Sequence, residues 1–301
     1  MKLDGLEAFV VVAEAGSISE AARRLRLAKS VVSERLADLE RQLGGRLFHR
    51  TTRKLTLTED GVAFLDRAGR IVREVREAEA DFVERRGALS GPMRLSAPVT
   101  FGRMHLGPAL WPFLSAHPAI TLKLDLSDRR VDASAEGYDA VIRHGKIDDS
   151  RLIVWRLAAS RRVFVASPDY LAARGVPRTG DEMEGHDAIF YANRGAADWR
   201  LTGPAGPRVI HARPRLVLDN GDLIRDAAMA GVGIALLPRF IAGDAIRSGQ
   251  LVIVDLDIEA EEEHIYIAHP EGRQSSTKLR ALADHLRKTF GNPPYWDKEQ
   301  S

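Results

Sequence analysis

The sequence is most informative at residues 17–25, SISEAARRL, and residues 29–43, KSVVSERLADLERQL. Ser17 and Glu20 have the spacing of a capping box, which satisfies N–H groups at a helix start. In the second segment, apolar residues recur at helical spacing, and Gly44 follows it as a stop signal. An earlier helix is predicted over residues 3–15, ended by Gly16. The sequence therefore predicts three short helices joined by tight connections.

A basic segment follows at once, GRLFHRTTRKLTL at residues 45–57, and its pattern predicts a two-stranded hairpin. A helix pair followed by a basic hairpin is the layout of a winged helix-turn-helix, which places one helix in the DNA major groove. Residues 20–57 hold ten Lys/Arg against four Asp/Glu, a net charge of +6, whereas residues 59–301 carry −2. The positive charge is thus concentrated where DNA phosphates would lie, although a solvated basic face is the alternative.

A long charged helix is predicted from the N-cap Thr58 to about residue 86. It carries one narrow apolar seam, which we expect to pair with a second copy of the chain; packing on its own domain is the alternative. The predicted domains are a winged helix-turn-helix at 1–58, a linker and dimerisation helix at 59–89, and a further domain at 91–301. The seam consists of Leu65, Ala68, Val72, Val75 and Phe82.

Beyond Ser90-Gly91-Pro92, strand-like and helix-like runs alternate, which predicts an α/β domain with a largely parallel sheet. We expect the tail after Gly291 to be loosely ordered. Predicted helices cover 102–115, 168–174, 222–230, 239–246 and 277–290. Predicted strands cover 93–97, 120–126, 140–143, 163–167, 188–191, 209–218, 234–237, 251–254 and 264–269.

Composition excludes several classes of protein. The 301 residues include no cysteine, which rules out disulfides, thiol catalysis and cysteine-ligated metals and fits a reducing cytoplasm. The apolar run at residues 8–13 is too short and too closely flanked by acidic residues for a signal peptide or a membrane span. We therefore expect a cytoplasmic protein without a membrane segment.

Motifs for chemistry are weak. Gly231-Val232-Gly233 lacks the third glycine of a dinucleotide motif and lies between a helix and a strand, the reverse of the order that motif needs. His264 and His269 lie five residues apart on one predicted strand and so face opposite sides, which excludes a shared metal. We expect no enzyme, metal or cofactor. Two other classes stay open: a small-molecule binding or transport protein of the periplasmic type, and an α/β enzyme with a fused DNA-binding domain.

The chain as a whole resembles the LysR-type transcriptional regulators, in the branch whose effector domain is similar to type 2 periplasmic binding proteins. The resemblance rests on AARRL at 21–25, LADLE at 36–40, LFHRTTRKLTLTEDG at 47–61, RLSAP at 94–98, YDAVIR at 138–143 and AGVGIALLP at 230–238. It implies binding to double-stranded promoter DNA, assembly as dimers or tetramers, and a small-molecule effector between two α/β lobes. Lobe I would cover about 91–165 and 268–301, and lobe II about 166–267.

The resemblance also implies which residues contact DNA. At the start of the third helix, Lys29, Ser30, Ser33 and Glu34 would face base edges with Arg35 beside them, and on the wing Arg50, Thr51 and Arg53 would contact phosphates or the minor groove. Two positions depart from the family pattern: Ala28 replaces a usual Ser or Thr cap, and Lys29 replaces a usual Gln. The bases that are recognised do not follow from the sequence.

The expected effector cleft lies at the carboxyl ends of the strands, where open α/β sheets bind ligands. Predicted helix N-termini near Thr100 and Gly221 favour an anionic group, so a small organic acid is expected. Asp128 would instead favour a cationic or neutral polar effector. The predicted cleft residues are Ser96, Pro98, Thr100, Phe101, Ser127, Asp128, Arg143, Gly145 and Asn220.

Overall fold

The structure is a computed structural model that describes residues 1–50, 55–84, 89–129, 131–145, 151–192, 198–203, 206–256, 258, 263–270 and 276–297. The chain forms two compact units, residues 1–91 and residues 92–301. Among the described helices, none combines the length and the apolar character needed to cross a membrane.

The first unit has the predicted winged helix-turn-helix layout. Ser17 accepts the Glu20 N–H at the start of the second helix, as the capping box predicts, and Gly16 and Gly44 end helices with φ of 64° and 72°. The hairpin strands pair antiparallel, with Phe48 opposite Leu57. The elements are α1 (Leu3–Ala15), α2 (Ile18–Leu25), α3 (Lys29–Leu43), β1 (Phe48–Arg50), β2 (Leu55–Leu57) and α4 (Glu59–Glu84).

The first half of α4 packs on its own domain, which is the alternative to pairing with a second copy that the sequence left open. Ala68 is 0% and Val72 is 5% exposed, in the same core as Leu6 and Phe9. The Phe64 ring lies 5.6 Å from that of Phe9. These side chains of α4 pack against α1, and the charge pattern of α4 alone does not predict that contact. The side chain of Phe82 lies outside the described residues.

The second unit contains two five-stranded sheets with helices against them. The first sheet has the order β4-β3-β5-β14-β6 and the second β11-β8-β12-β7-β13. The strands are β3 (Gly91–Ala97), β4 (Ile120–Leu126), β5 (Ala140–His144), β6 (Leu152–Ser160), β7 (Arg162–Ala166), β8 (Asp187–Tyr191), β9 (Asp198–Gly203), β10 (Gly206–His211), β11 (Arg213–Leu218), β12 (Ile234–Pro238), β13 (Val252–Ile253) and β14 (Glu263–Pro270). The helices are α5 (Val99–Phe101), a π-helix (Gly102–Leu106), α6 (Gly107–Ala116), α7 (Pro168–Arg174), α8 (Gly221–Met229), α9 (Arg239–Arg247) and α10 (Thr277–Phe290), with 3-10 turns at Asp181–Gly185 and Tyr295–Asp297.

Both sheets are mixed, so the prediction of a largely parallel sheet is wrong. In the first sheet β3 and β5 are parallel, but β14 runs antiparallel to β5 and β6. In the second, β8 is parallel to β11 and β12, whereas β7 is antiparallel to β12 and β13. Strand β6 belongs to the first sheet and β7 to the second, so the chain passes from one sheet to the other at Arg161, and it returns to the first sheet at β14. The strands next to these two passages form the antiparallel pairs. The predicted lobe boundaries at 165/166 and 267/268 therefore fall inside β7 and β14.

Strands β6 and β9 were not predicted, and the single strand predicted over 209–218 is two strands. Ala212 separates β10, which pairs with β9, from β11, which pairs with β8 in the second sheet. The predicted helices over 168–174 and 277–290 are confirmed.

Residues 292–297 of the tail are docked, which contradicts the expectation of a loose end there. Trp296 is 2% exposed, and its ring lies 5.3 Å from Phe290 and 4.8 Å from His105. The hydroxyl of Tyr295 bonds His105 Nδ1 at 2.6 Å. Burial of a large indole against other rings is a strong local stabilisation, and it outweighs the flexibility expected of a terminus.

Candidate functional site

The start of α3 presents polar side chains to the surface of the first unit. Lys29, Ser30 and Glu34 are exposed and Ser33 is half-buried, while Val32, Leu36 and Leu39 on the opposite side are buried. The N-cap Ala28 makes no side-chain hydrogen bond. The first turn of α3 therefore joins uncapped backbone N–H groups to a row of small and charged side chains, an arrangement suited to a phosphate or a base edge.

Arg35 has a partner within the chain. Its guanidinium lies 2.9 Å from the Asp4 carboxylate of α1. A Cβ on Gly5 of α1 would lie 3.4 Å from the Arg35 carbonyl oxygen, which shows how closely the two helices approach. This ion pair joins α3 to α1, and the DNA contact by Arg35 stays a prediction.

The wing is attached to α3 through Glu40, which sequence reasoning missed. The Glu40 carboxylate accepts N–H bonds from Leu47 at 2.8 Å and Phe48 at 3.3 Å, just before and within β1. The sequence signal was an acidic residue in the last turn of α3, where the helix dipole does not favour it. Arg50 ends β1 and its side chain lies outside the described residues, as do Thr51 and Arg53.

A close approach also fixes the other end of the wing. Thr58 accepts the Gly61 N–H at 2.9 Å and donates its hydroxyl to the Arg46 carbonyl at 2.7 Å. A Cβ on Gly61 would lie 2.2 Å from the Leu47 carbonyl oxygen, so only glycine fits there. Thr58 and Gly61 hold the base of the hairpin against the start of α4.

In the second unit, Ser96 and Arg143 come together at the carboxyl ends of the parallel strands β3 and β5. An Arg143 Nη2–H donates to Ser96 Oγ at 3.0 Å and an Nη1–H to the Ile142 carbonyl at 2.8 Å. Ser96 is fully buried. Burial lowers the pKa of Arg143, and the negative charge of Asp128 opposes that shift. These two bonds use two of the five guanidinium N–H groups.

Asp128 follows β4 and accepts the Val99 N–H at 3.0 Å, which caps the short helix α5. Burial raises the pKa of Asp128, and the bond from Val99 and the charge of Arg143 oppose that shift. Ser127 lies beside it, its N–H bonded to the Ala97 carbonyl at 2.9 Å. The ends of β3, β4 and β5 thus bring hydroxyls, one cation and one carboxylate to the same edge of the sheet.

Asp222 joins residues associated with the two sheets, and the predicted site did not include it. It lies in the first turn of α8, where it accepts the Thr100 hydroxyl at 3.1 Å and pairs with Arg103 and Arg225. Asn220 caps the same helix by accepting the Leu223 N–H at 3.1 Å.

The contacts of Asp222 depend on two local features of the backbone. A Cβ on Gly221 would lie 2.7 Å from Ile241 and 3.2 Å from the Thr100 hydroxyl, so glycine permits the approach. Arg103 is presented by the π-helix, a local irregularity often found at functional sites. The signal in the sequence was an Asn-Gly-Asp run before a helix.

Phe101 does not belong with these polar residues. It is fully buried in the aromatic cluster of Phe240, Phe290 and Trp296. Its ring points into this cluster, so the predicted ligand contact is replaced by packing. Pro98 precedes α5 as its half-buried N-cap. Gly145 ends β5 with φ of 92°, its N–H bonded to the His264 carbonyl at 3.0 Å.

Both units match models of one family of proteins. Residues 3–62 match the bacterial regulatory helix-turn-helix protein, lysR family, and residues 86–291 match the LysR substrate binding domain. The chain belongs to the LysR family. It is therefore a transcriptional regulator with a helix-turn-helix DNA-binding domain and an effector domain, as the sequence predicts. This sets aside the alternative of a transport protein.

Relatives and solved structures match over nearly the whole chain. HTH-type transcriptional regulator CrgA of Neisseria meningitidis serogroup C is 31% identical over 289 residues, 95% of this chain and 96% of that protein. DmlR of Escherichia coli K12 is 30% identical over 290 residues, 96% of this chain and 94% of that protein.

Two solved structures of LysR-type regulators show the same fold. The structure of CrgA, from Neisseria meningitidis, has a TM-score of 0.60 at 29% identity and covers 96% of this chain and 98% of its own. The full-length virulence activator AphB of Vibrio cholerae has a TM-score of 0.58 at 28% identity and covers 95% of this chain and 98% of its own.

Proposed function

We propose that this regulator inserts the start of α3 into the DNA major groove, with Lys29, Ser30, Ser33 and Glu34 facing base edges. The observation that carries the proposal is the uncapped first turn of α3 with its exposed polar row. The wing residues Arg50, Thr51 and Arg53 contact phosphates or the minor groove, supported by the attachment of the wing to Glu40. A promoter-binding protein of this kind works in the cytoplasm.

A salt titration of DNA affinity tests the role of the wing. Each phosphate contact releases counterions, so Arg53→Ala should weaken binding similarly on all sequences and reduce the salt slope by about one. Arg41→Ala is the matched control, because Arg41 is an exposed cation near the other end of α3 and pairs with Asp38. If Arg53→Ala binds like the parent protein at moderate salt, the wing does not contact DNA.

The effector is proposed to bind where Ser96, Thr100, Ser127 and Arg143 meet, in the cleft between the two sheets. A small organic acid would place its carboxylate at Arg143, which has N–H groups beyond the two used by Ser96 and Ile142. Asp128 supports a second candidate, an amine or neutral polar effector. Besides burial, the negative charges of Asp219 and Asp222 raise the pKa of Asp128, so three carboxylates act on the same place, which favours a cation.

Thermal-shift screening of organic acids against organic amines separates these candidates. Organic acids should stabilise the parent protein and lose that effect in Arg143→Gln, because the cation that binds them is gone. Asp128→Asn keeps the shape and an acceptor for the Val99 N–H, so it should leave acid binding in place. Stabilisation by amines alone, abolished in Asp128→Ala, would contradict the organic acid.

Regulation is proposed to act through the contacts of Asp222. A ligand that binds more tightly when Thr100 and Arg103 are joined to α8 favours that arrangement, with a coupling of about 1–3 kcal/mol. Thr100→Val keeps the side-chain shape and removes the hydroxyl, so it should reduce the effect of effector on DNA binding. Equal effector dependence in Thr100→Val and the parent protein would contradict this route.

We also propose that the chain works as a dimer or tetramer. Both sheets end on edge strands beside exposed apolar side chains, which is typical of association surfaces. Trp111 of α6 is 59% and Leu126 of β4 is 41% exposed, and Leu223 of α8 is 54% and Val217 of β11 is 43% exposed. Sedimentation of Leu223→Asp should show dissociation, whereas an unchanged assembly would place the contact elsewhere, for example on the second half of α4.

A further inference from the structure

The turn between α2 and α3 contains a backbone conformation that is unusual for its residue. Arg26 ends α2 with φ of 55° and ψ of 40°, in the left-handed region. Among the described residues, every other residue in this region of φ is a glycine. The neighbouring helices follow that rule, since α1 ends at Gly16 and α3 at Gly44. An arginine in this conformation costs free energy that a glycine would not, because its Cβ crowds the backbone.

The surrounding contacts hold Arg26 in this conformation. The Leu27 N–H donates to the Ala22 carbonyl at 3.0 Å. The N–H of Arg26 itself donates to the Arg23 carbonyl at 3.3 Å, and the two bonds form a Schellman motif, which places a left-handed residue at position 26. Leu25 and Leu27 pack against the core of the first unit on either side of it. The turn therefore fixes the backbone at position 26, but it does not account for the choice of arginine there.

The side chain of Arg26 is exposed, and no carboxylate among the residues that the structure describes pairs with it. The two preceding arginines differ, because Arg23 and Arg24 both bind the Glu20 carboxylate, at 2.7 and 3.1 Å. Lys29, at the start of α3, is a second exposed cation three residues further along. The guanidinium of Arg26 is thus available to an anion outside the described chain.

Its place in the chain brings this guanidinium close to DNA in the proposed complex. Lys29 follows Arg26 by three residues, so their Cα atoms lie at most about 11 Å apart. The major groove is about 12 Å wide and has the phosphates of one strand on each side. With Lys29 at a base edge in the groove, the guanidinium of Arg26 is within reach of a bordering phosphate. An arginine binds phosphate oxygens through charge-assisted hydrogen bonds.

We propose that Arg26 is a further DNA contact, which binds a backbone phosphate beside the groove that α3 enters. This inference rests on the proposed insertion of α3. It explains why an arginine stands where a glycine ends the neighbouring helices: the strained residue destabilises the free protein slightly and stabilises its complex with DNA. Replacing Arg26 should therefore change folding and DNA binding in opposite directions.

Amide hydrogen exchange of the full-length protein measures the effect on folding. The amides of α1 report on the opening of the first unit and lie outside the substituted turn. Arg26→Gly should slow their exchange about threefold, because the strain is relieved. Arg26→Gln keeps the strained backbone and should exchange like the parent protein. Unchanged or faster exchange in Arg26→Gly would mean that the arginine does not strain the turn, and this would overturn the inference.

The affinity for a pool of random-sequence duplexes of about 30 base pairs measures the effect on DNA binding. Arg26→Gly and Arg26→Gln should both bind more weakly and reduce the salt slope by about one, whereas Arg26→Lys should keep the parent slope. Between about 50 and about 200 mM salt, the affinity of either neutral variant should fall by a factor about threefold smaller than that of the parent protein. Arg24→Gln is the matched control, because that exposed arginine is paired with Glu20, and it should leave the salt slope unchanged.

The outcomes separate this inference from the proposed function. The inference fails if Arg26→Gln has the affinity and salt slope of the parent protein, or if Arg24→Gln loses as much as Arg26→Gln. If Lys29→Ala and Ser33→Ala change the preferred operator while Arg26→Gln behaves like the parent protein, α3 still recognises bases and only the contact of Arg26 is wrong. A weakened Arg26→Gln with an unchanged operator in both α3 variants would contradict the insertion of α3 and support the phosphate contact.

Discussion

The DNA-binding unit and the effector unit differ in how far apart in sequence their contacts lie. In the first unit, Ser17 caps a helix through Glu20, three residues away, and Glu40 holds the wing through Leu47, seven residues away. In the second, Thr100 meets Asp222 across 122 residues and His105 meets Tyr295 across 190. Local contacts shape the unit that presents α3. Long-range contacts join distant parts of the chain in the effector unit.

The largest effect is expected in the local unit. Val72→Asp places a charge in the core that contains Phe9. It should lower the free energy of unfolding by about 4 kcal/mol or more, because the surrounding apolar side chains offer the carboxylate no partner. The N-terminal unit should then unfold while residues 92–301 stay folded, as limited proteolysis would show. Val75→Asp is the matched control at a half-buried position on the same helix. A Val72→Asp protein that dissociates but keeps a folded N-terminal unit would restore the seam as an interface between copies.

The effector unit should be sensitive at its tail. Trp296→Ala removes a buried indole from the aromatic cluster and should lower the free energy of unfolding by about 3 kcal/mol. Calorimetry should show the loss in the transition of residues 92–301. Val176→Ala, at an exposed valine of the same unit, should change it by less than about 0.5 kcal/mol. Equal effects of the two substitutions would mean that the tail is not docked in solution.

The same contrast explains what the sequence could predict. Gly16, Ser17, Gly44 and Thr58 mark element ends through local chemistry, so the helices and hairpin of the first unit were predicted correctly. Strand β6 was missed because only Arg161 separates it from β7, and no turn residues mark the passage from one sheet to the other. The reversed strands follow from that crossing, which is a property of pairing and not of local pattern.

The proximity of some of the predicted cleft residues followed from the sequence for the same reason. Ser96 and Arg143 lie in the last residues of their strands and Asp128 follows β4, so the rule that the carboxyl ends of strands meet predicted that they are close together. Asp222 was missed because its partner Thr100 lies on another part of the chain. Phe101 was predicted to contact the effector, but it is buried in a ring cluster that includes Trp296. The composition of the tail indicated a loose end, so the sequence did not reveal this cluster.

The smallest expected effect is a pH dependence of the stability of the first unit. Two ion pairs with Arg23 and Arg24 lower the pKa of Glu20 from 4.5 to about 2. Because the folded pKa is depressed, the stabilisation is present above pH 4.5 and is lost as the pH falls toward 2. The difference in melting temperature between the parent protein and Glu20→Gln should therefore be small at neutral pH and vanish in acid. A difference that grows as the pH falls would contradict the lowered pKa of Glu20.

The central claim, that the start of α3 reads bases while the wing holds phosphates, is tested most directly by selecting operators from random DNA. Ser33→Ala and Lys29→Ala should each change the preferred sequence, because their side chains face base edges in the proposed complex. Arg53→Ala should select the parent sequence with lower affinity. The contrary result is an unchanged preference in both α3 variants together with an altered one in Arg53→Ala, which would move base recognition from α3 to the wing.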